Sequence, residues 1–200
     1  MAEHGFVERS VEIRRMHVAY RVAGEGEIVL SIAEDGVPAL PSDDHLAAHR
    51  RVVAIRVPRD PATAKAEAQR VAAAMEALGF DRFDMMGHGA GAAVALWLAC
   101  DNAARVGSIV LASPEGTLDA SMRDMKRPVL ALFGTRDGTV PPEQIRAYGA
   151  GLPDCHLMYV YDAGRAIGTE RPEALAFIAR EFFDRRDLFL VSRESGMSLP

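Results

Sequence analysis

The chain has 200 residues, 49% of them hydrophobic and 26% charged, with a formal net charge of −5. That length suits a single domain, spanning 1–200, with a core large enough to need neither disulfide nor metal. The excess of acid and the lack of any basic run argue against nucleic acid as a partner. No stretch of about 20 apolar residues is available to span a bilayer. The opening Met1-Ala2-Glu3-His4-Gly5 lacks the basic and apolar regions of a secretion signal, so a cytoplasmic setting is expected. Cys100 and Cys155 are far apart and share no metal-ligand spacing, and Cys100 sits in an apolar helical run that predicts a buried, inert thiol.

In chain order, Val11–Ile13 and Met16–Val22 alternate apolar and polar residues as half-buried strands do, with a turn at Arg14-Arg15. Ile28–Ala33 is an apolar run of strand length, followed by loop from Glu34 to Pro41. Ser42-Asp43-Asp44 offers capping oxygens for a short helix through His49. Arg51–Val57 reads as a strand, and an Ala-rich helix is predicted from Pro61 to Leu78, ended by Gly79. Then come strand Phe83–Met86, helix Ala90–Cys100, strand Ser108–Ala112 and a short helix in Leu118–Met125. Strand Pro128–Phe133, helix Pro141–Tyr148, strand His156–Tyr161 and helix Pro172–Asp184 complete the pattern. Residues 186–200 form a tail with an apolar patch, Leu188–Val191, expected to pack on the domain or on a second copy as a homodimer. Strands alternating with helices imply an α/β structure with one mainly parallel sheet.

Between strand 83–86 and the helix after it stands Gly87-His88-Gly89-Ala90-Gly91. Further on come Arg105-Val106-Gly107-Ser108-Ile109-Val110-Leu111-Ala112, then Gly134-Thr135-Arg136-Asp137 with Val140-Pro141-Pro142, then Ala163-Gly164-Arg165 with Glu170-Arg171-Pro172-Glu173. In this order the four segments resemble the landmarks of the α/β-hydrolase family: the nucleophile elbow G-x-S-x-G, the sixth strand, the turn bearing the catalytic acid and the segment bearing the catalytic histidine. The resemblance implies an α/β-hydrolase fold and ester or acyl chemistry. It places Gly89 at the nucleophile, Asp137 at the acid and Arg165 at the base. Only the acid survives. Glycine has no side-chain oxygen, and arginine stays protonated and cannot cycle a proton. The family's oxyanion hole would fall on the backbone of Ala90 and of Gly36, in Asp35-Gly36. Few residues separate the sixth-strand segment from Asp137, so no helical cap is expected. The implied reading is a non-hydrolytic member with a degenerate triad, either binding a small acyl or carboxylate ligand or acting as an interaction subunit. The alternative is an esterase with a displaced nucleophile, Ser113 or Ser31.

Each feature also has a plainer account. A glycine at the elbow relieves the strain of positive φ. Arg165 and Asp137, facing one another, make a salt bridge that fills the old site, or Arg165 and the N-terminus of the helix at Ala90 hold an anion. With Arg165, His88 and Ser113 are the ligand-contact candidates, although His88 in this place more often serves packing. Glu115 is a possible substitute acid. His17 and His156 lie in strands as structural residues. His45 and His49 are spaced for a metal but have no evident third ligand. Met85 and Met86 are expected in the core. A dinucleotide-binding turn at Gly87-x-Gly89-x-Gly91 lacks the following acidic residue and lies mid-chain, so no cofactor is implied.

Overall fold

The computed structural model describes residues 5–13, 16–37 and 39–186. Among these the order is β1 (Val7–Ile13), β2 (Met16–Ala23), β3 (Ile28–Glu34), α1 (Pro41–Ala47), β4 (Arg51–Val57), α2 (Ala64–Ala77), β5 (Phe83–His88) and α3 (Gly91–Asp101). The second half runs β6 (Val106–Ala112), β7 (Val129–Gly134), α4 (Pro142–Gly151), β8 (Cys155–Val160), α5 (Ile167–Glu170) and α6 (Pro172–Arg185). The eight strands form one sheet in the order β1-β2-β4-β3-β5-β6-β7-β8. The pairs β1/β2 and β2/β4 are antiparallel, and every later pair is parallel.

Alternation along the strands sorts side chains between two cores. Leu30 and Ile32 of β3 and Met85 of β5 join α2, α3 and Tyr148 of α4 on one face. Val29 and Met86 point to the other, where α1, α5 and α6 lie. Both methionines are fully buried, as their apolar strand predicts. The inner parallel strands are buried on both faces, which is why β3 to β7 read as near-continuous apolar runs.

Several boundaries differ from the sequence reading for local reasons. β1 begins at Val7, not Val11, because Val7 to Ser10 pair in register with Val22 to Ala19 although they are exposed and show no alternation. Helix α1 opens at Pro41 with Leu40 as its N-cap and no side-chain cap. Asp43 is therefore not a capping residue: it is buried and accepts hydrogen bonds from Ser31 Oγ at 2.9 and 3.1 Å. The helix stops at Ala47, which leaves His49 in the following turn and off the face of His45. Pro61–Thr63 is a 3₁₀ turn, capped by Asp60, ahead of α2. Between β6 and β7 the described residues contain one 3₁₀ turn, Ala120–Asp124, and no helical cap. The turn at Arg14-Arg15 and the patch Leu188–Val191 lie outside the described residues.

Candidate functional site

The C-terminal ends of the parallel strands meet around residues 87–91, where ligands bind in open α/β sheets. β5 runs straight into the turn, and Gly89 takes φ +52°, the left-handed conformation expected of an elbow residue. Gly91 opens α3 hard against β3: a β-carbon there would lie 2.3 Å from the carbonyl oxygen of Ile32. The flanking glycine thus serves close packing of helix on sheet, and Gly89 serves the turn.

A β-carbon at Gly89 would point at two carboxylates, 3.0 Å from Glu115 Oε1 and 3.9 Å from Glu34 Oε2. Glu34 ends β3. Glu115 follows β6 and is tied to the elbow through its backbone, since Glu115 N–H donates to Gly89 O at 3.2 Å and Gly89 N–H to Ala112 O at 3.1 Å. Tyr148 Oη donates to Glu115 O at 3.3 Å. Two guanidinium groups balance the carboxylates. Arg165 ion-pairs with Glu115 Oε1, and Arg59 reaches Glu34 Oε2 at 3.2 Å and Glu115 Oε2 at 3.4 Å. The four side chains sum to no net charge.

This overturns the expected facing of Arg165 and Asp137. The Asp137 carboxylate accepts from Thr139 N–H at 2.9 Å and Thr139 Oγ1–H at 2.6 Å, a local turn motif that holds it in its own loop. Glu115, delivered by β6 directly above the elbow, takes the arginine instead. Gly36 is also displaced from its expected role. It lies in an exposed turn at φ +82°, closed by Val37 N–H to Glu34 O at 3.3 Å, while Ala33 and Glu34 line the cavity over Gly89. Ala90 stands at the N-terminus of α3, its amide at the head of the helix, and lines a second, larger cleft.

The cavity directly over Gly89 measures about 130 Å³ and is lined by Glu34, His88, Gly89, Glu115 and Arg165 among others. His88 is 8% exposed, and burial pushes its pKa down to about 3, with the Arg56 guanidinium adding to the effect. It is therefore a neutral imidazole, and its Nε2 has no hydrogen-bond partner among the described residues. Ser113 is buried at φ +45°, its Oγ likewise unpartnered, and it does not line this cavity. Ser31 is fully buried with its hydroxyl given to Asp43, so it offers no nucleophile to a ligand. His17 is exposed on β2, and His156 on β8 faces Asp154 at 3.6 Å. No group of three or more metal-ligating side chains gathers among the described residues, around His45 and His49 or elsewhere.

Chemically, the site holds an acid–base pair locked as an ion pair where a triad would need a hydroxyl and a cycling imidazole. Sequence reasoning reached Gly89, Arg165 and His88 from the motifs and weighed Glu115 as an acid, but it missed Arg59 and Glu34. Their only signal is position, at or just past the ends of β4 and β3.

No family model matches the chain, and no curated protein matches it in sequence. Solved structures do. A predicted CIB-like hydrolase from Thermoplasma acidophilum aligns with a TM-score of 0.76 at 16% identity, over 90% of this chain and 99% of the other. A serine hydrolase involved in carbazole degradation aligns with a TM-score of 0.78 at 19% identity, over 91% and 100%. A carboxylesterase from Bacillus subtilis aligns with a TM-score of 0.74 at 13% identity, over 89% and 91%. Likeness at these identities is likeness of fold, and together with the strand order it establishes that this chain has the α/β-hydrolase fold.

Proposed function

We propose that this chain is a non-hydrolytic protein on the α/β-hydrolase fold, which binds a small acyl or carboxylate-bearing ligand at the site of the lost triad. The observation that carries the reading is the ion pair of Glu115 and Arg165 over Gly89. The nucleophile position has no oxygen, and the base position holds a permanent cation committed to a carboxylate. The nearby solved structures are hydrolases by name, and the departure concerns the residues that would do the chemistry.

The test is an assay on acetyl to octanoyl esters of p-nitrophenol. We expect no turnover from the parent protein, and none from Gly89→Ser/Arg165→His, because Glu115 still fills the space above residue 89. Adding Glu115→Ala to that pair should yield measurable hydrolysis. Turnover by the parent that survives Asp137→Ala would overturn the reading and place catalysis elsewhere. One observation favours a second reading, an esterase with a displaced nucleophile: Ser113 holds a strained positive φ and an unpartnered hydroxyl. That reading requires a covalent adduct with a fluorophosphonate probe that Ser113→Ala abolishes.

A further inference from the structure

We infer that the cleft beside Gly89 binds an amphipathic monocarboxylate, whose head group takes the place that Glu115 now holds between Arg59 and Arg165. This rests on the binding reading above and names its ligand class and its built-in competitor.

Glu115 lines both the cavity of about 130 Å³ over Gly89 and the neighbouring cleft of about 610 Å³. Its side chain is thus part of the partition between the two spaces, and swinging it aside joins them. The backbone need not follow, since Glu115 N–H is held by Gly89 O and Glu115 O by Tyr148 Oη. Two guanidinium groups gripping the two oxygens of one carboxylate is how a bound carboxylate would be held, so Glu115 already shows the geometry that a ligand head would copy.

The cleft supplies what the head group lacks. Ala93, Val94, Trp97, Leu118 and Met122 give it an apolar wall, and its volume is that of a small-molecule site. Exchange of one carboxylate for another on the same arginines changes little by itself. Burial of an apolar tail must therefore supply the net affinity. The remaining charges exclude a second anionic group. Asp60 and Asp119 stand at the rim, their carboxylates accepting from Ala62 N–H at 3.0 Å and Ser121 N–H at 2.9 Å. A dicarboxylate would meet them, whereas a chain with one acid head and an apolar tail would not.

An internal competitor lowers apparent affinity by the fraction of molecules in which it occupies the cradle. Trp97, the single tryptophan of the chain, lines the cleft and reports tail entry through its fluorescence. Titration with octanoate, acetate and 1-octanol should be followed by Trp97 emission and by calorimetry, on the parent protein, Glu115→Gln and Glu115→Gln/Arg165→Ala. We expect Glu115→Gln to bind octanoate at least tenfold tighter than the parent, with a change in Trp97 emission. The double variant should lose at least tenfold of that affinity. Acetate should leave the emission unchanged, and 1-octanol should gain nothing from Glu115→Gln. Octanoate bound by the parent and no tighter by Glu115→Gln would overturn the competitor role, as would an equal gain for 1-octanol. Octanoate bound by neither, with both proteins unfolding cooperatively, would overturn the carboxylate-binding reading itself. Glu115→Ala serves as the second variant should Glu115→Gln fold poorly.

Discussion

Glu115 stands over Gly89, its Oε1 3.0 Å from the point a β-carbon on that glycine would occupy. The glycine and the carboxylate are two halves of one arrangement, because any side chain at 89 competes with Glu115 for space.

That relationship predicts the cost of filling the turn. Gly89→Ala forces an L-residue into the left-handed region and against a flexible carboxylate end, a penalty of about 1–2 kcal/mol. Gly91→Ala meets the backbone carbonyl of Ile32 at 2.3 Å, which cannot swing away. We expect a melting temperature lower by about 2–8 °C for Gly89→Ala and a clearly larger drop for Gly91→Ala, although Gly91 is not in the positive-φ region. Equal drops in calorimetry would contradict the packing role of Gly91.

Two buried groups titrate with opposite sign. Burial pushes Asp43 from 3.8 up to about 6, partly countered by the Ser31 hydrogen bond. The fold holds that proton more tightly than the unfolded chain, so the contribution is present below about 4 and lost as pH rises to about 6. His88 is depressed from 6.5 to about 3, so its contribution is present above 6.5 and lost as pH falls through that window. Between pH 4 and 6 the two slopes oppose one another. Relative to the parent, Asp43→Asn should therefore gain about 2–3 kcal/mol of stability on going from pH 4 to 6, and His88→Gln should lose a similar amount. Urea unfolding at several pH values decides it, and a variant that parallels the parent would rule out the corresponding group.

Arg50 is the buried cation of the opposite end of the sheet, its side chain 5% exposed and paired with Glu27, Asp184 and, at 3.9 Å, Asp84. Asp84 is itself buried, and burial already raises its pKa. Arg50→Met would take one opposing cation from that carboxylate, leaving it Ser108 N–H at 2.7 Å and the Arg186 guanidinium, at a cost of about 2–3 kcal/mol. Arg136→Met removes surface pairs with Asp162 and Glu170, each at 3.2 Å, and should cost about 1 kcal/mol. Denaturant midpoints separate the two, and equal shifts would contradict the account.

The thiols should be slow. Burial pushes Cys155 up to about 12 and raises Cys100 as well, leaving little thiolate at neutral pH. Ellman's reagent should label neither cysteine rapidly in the native protein and both in urea. Fast native labelling would show that the thiols are more open than their packing implies.

Much of this fold is legible in the sequence because its signals are local. Apolar runs mark β3 to β7, and the glycines of 87–91 mark a strand turning into a helix. What escapes is whatever depends on the assembled sheet. Asp43 reads as a helix cap by its residue type, but Pro41 starts the helix earlier and turns the carboxylate inward to Ser31. Asp137 reads as the partner of Arg165, yet Thr139 holds one of its oxygens within its own turn while β6 carries Glu115 to the elbow. The first residues of β1 escape for the opposite reason: exposed on both faces, they carry no alternation to read.

The two edges of the sheet differ. Strand β1 carries Glu8, Arg9 and Glu12, charges that deter an incoming strand. Strand β8 has no Asp, Glu, Lys or Arg from Cys155 to Val160, with Leu157 40% and Tyr159 57% exposed, and among the described residues it is paired on one side only. A sheet that accepts a neighbour along one border alone cannot polymerise through its strands. Were two copies to join β8 to β8, both receptive borders would be used, and lateral growth would close at a pair rather than run on into a filament.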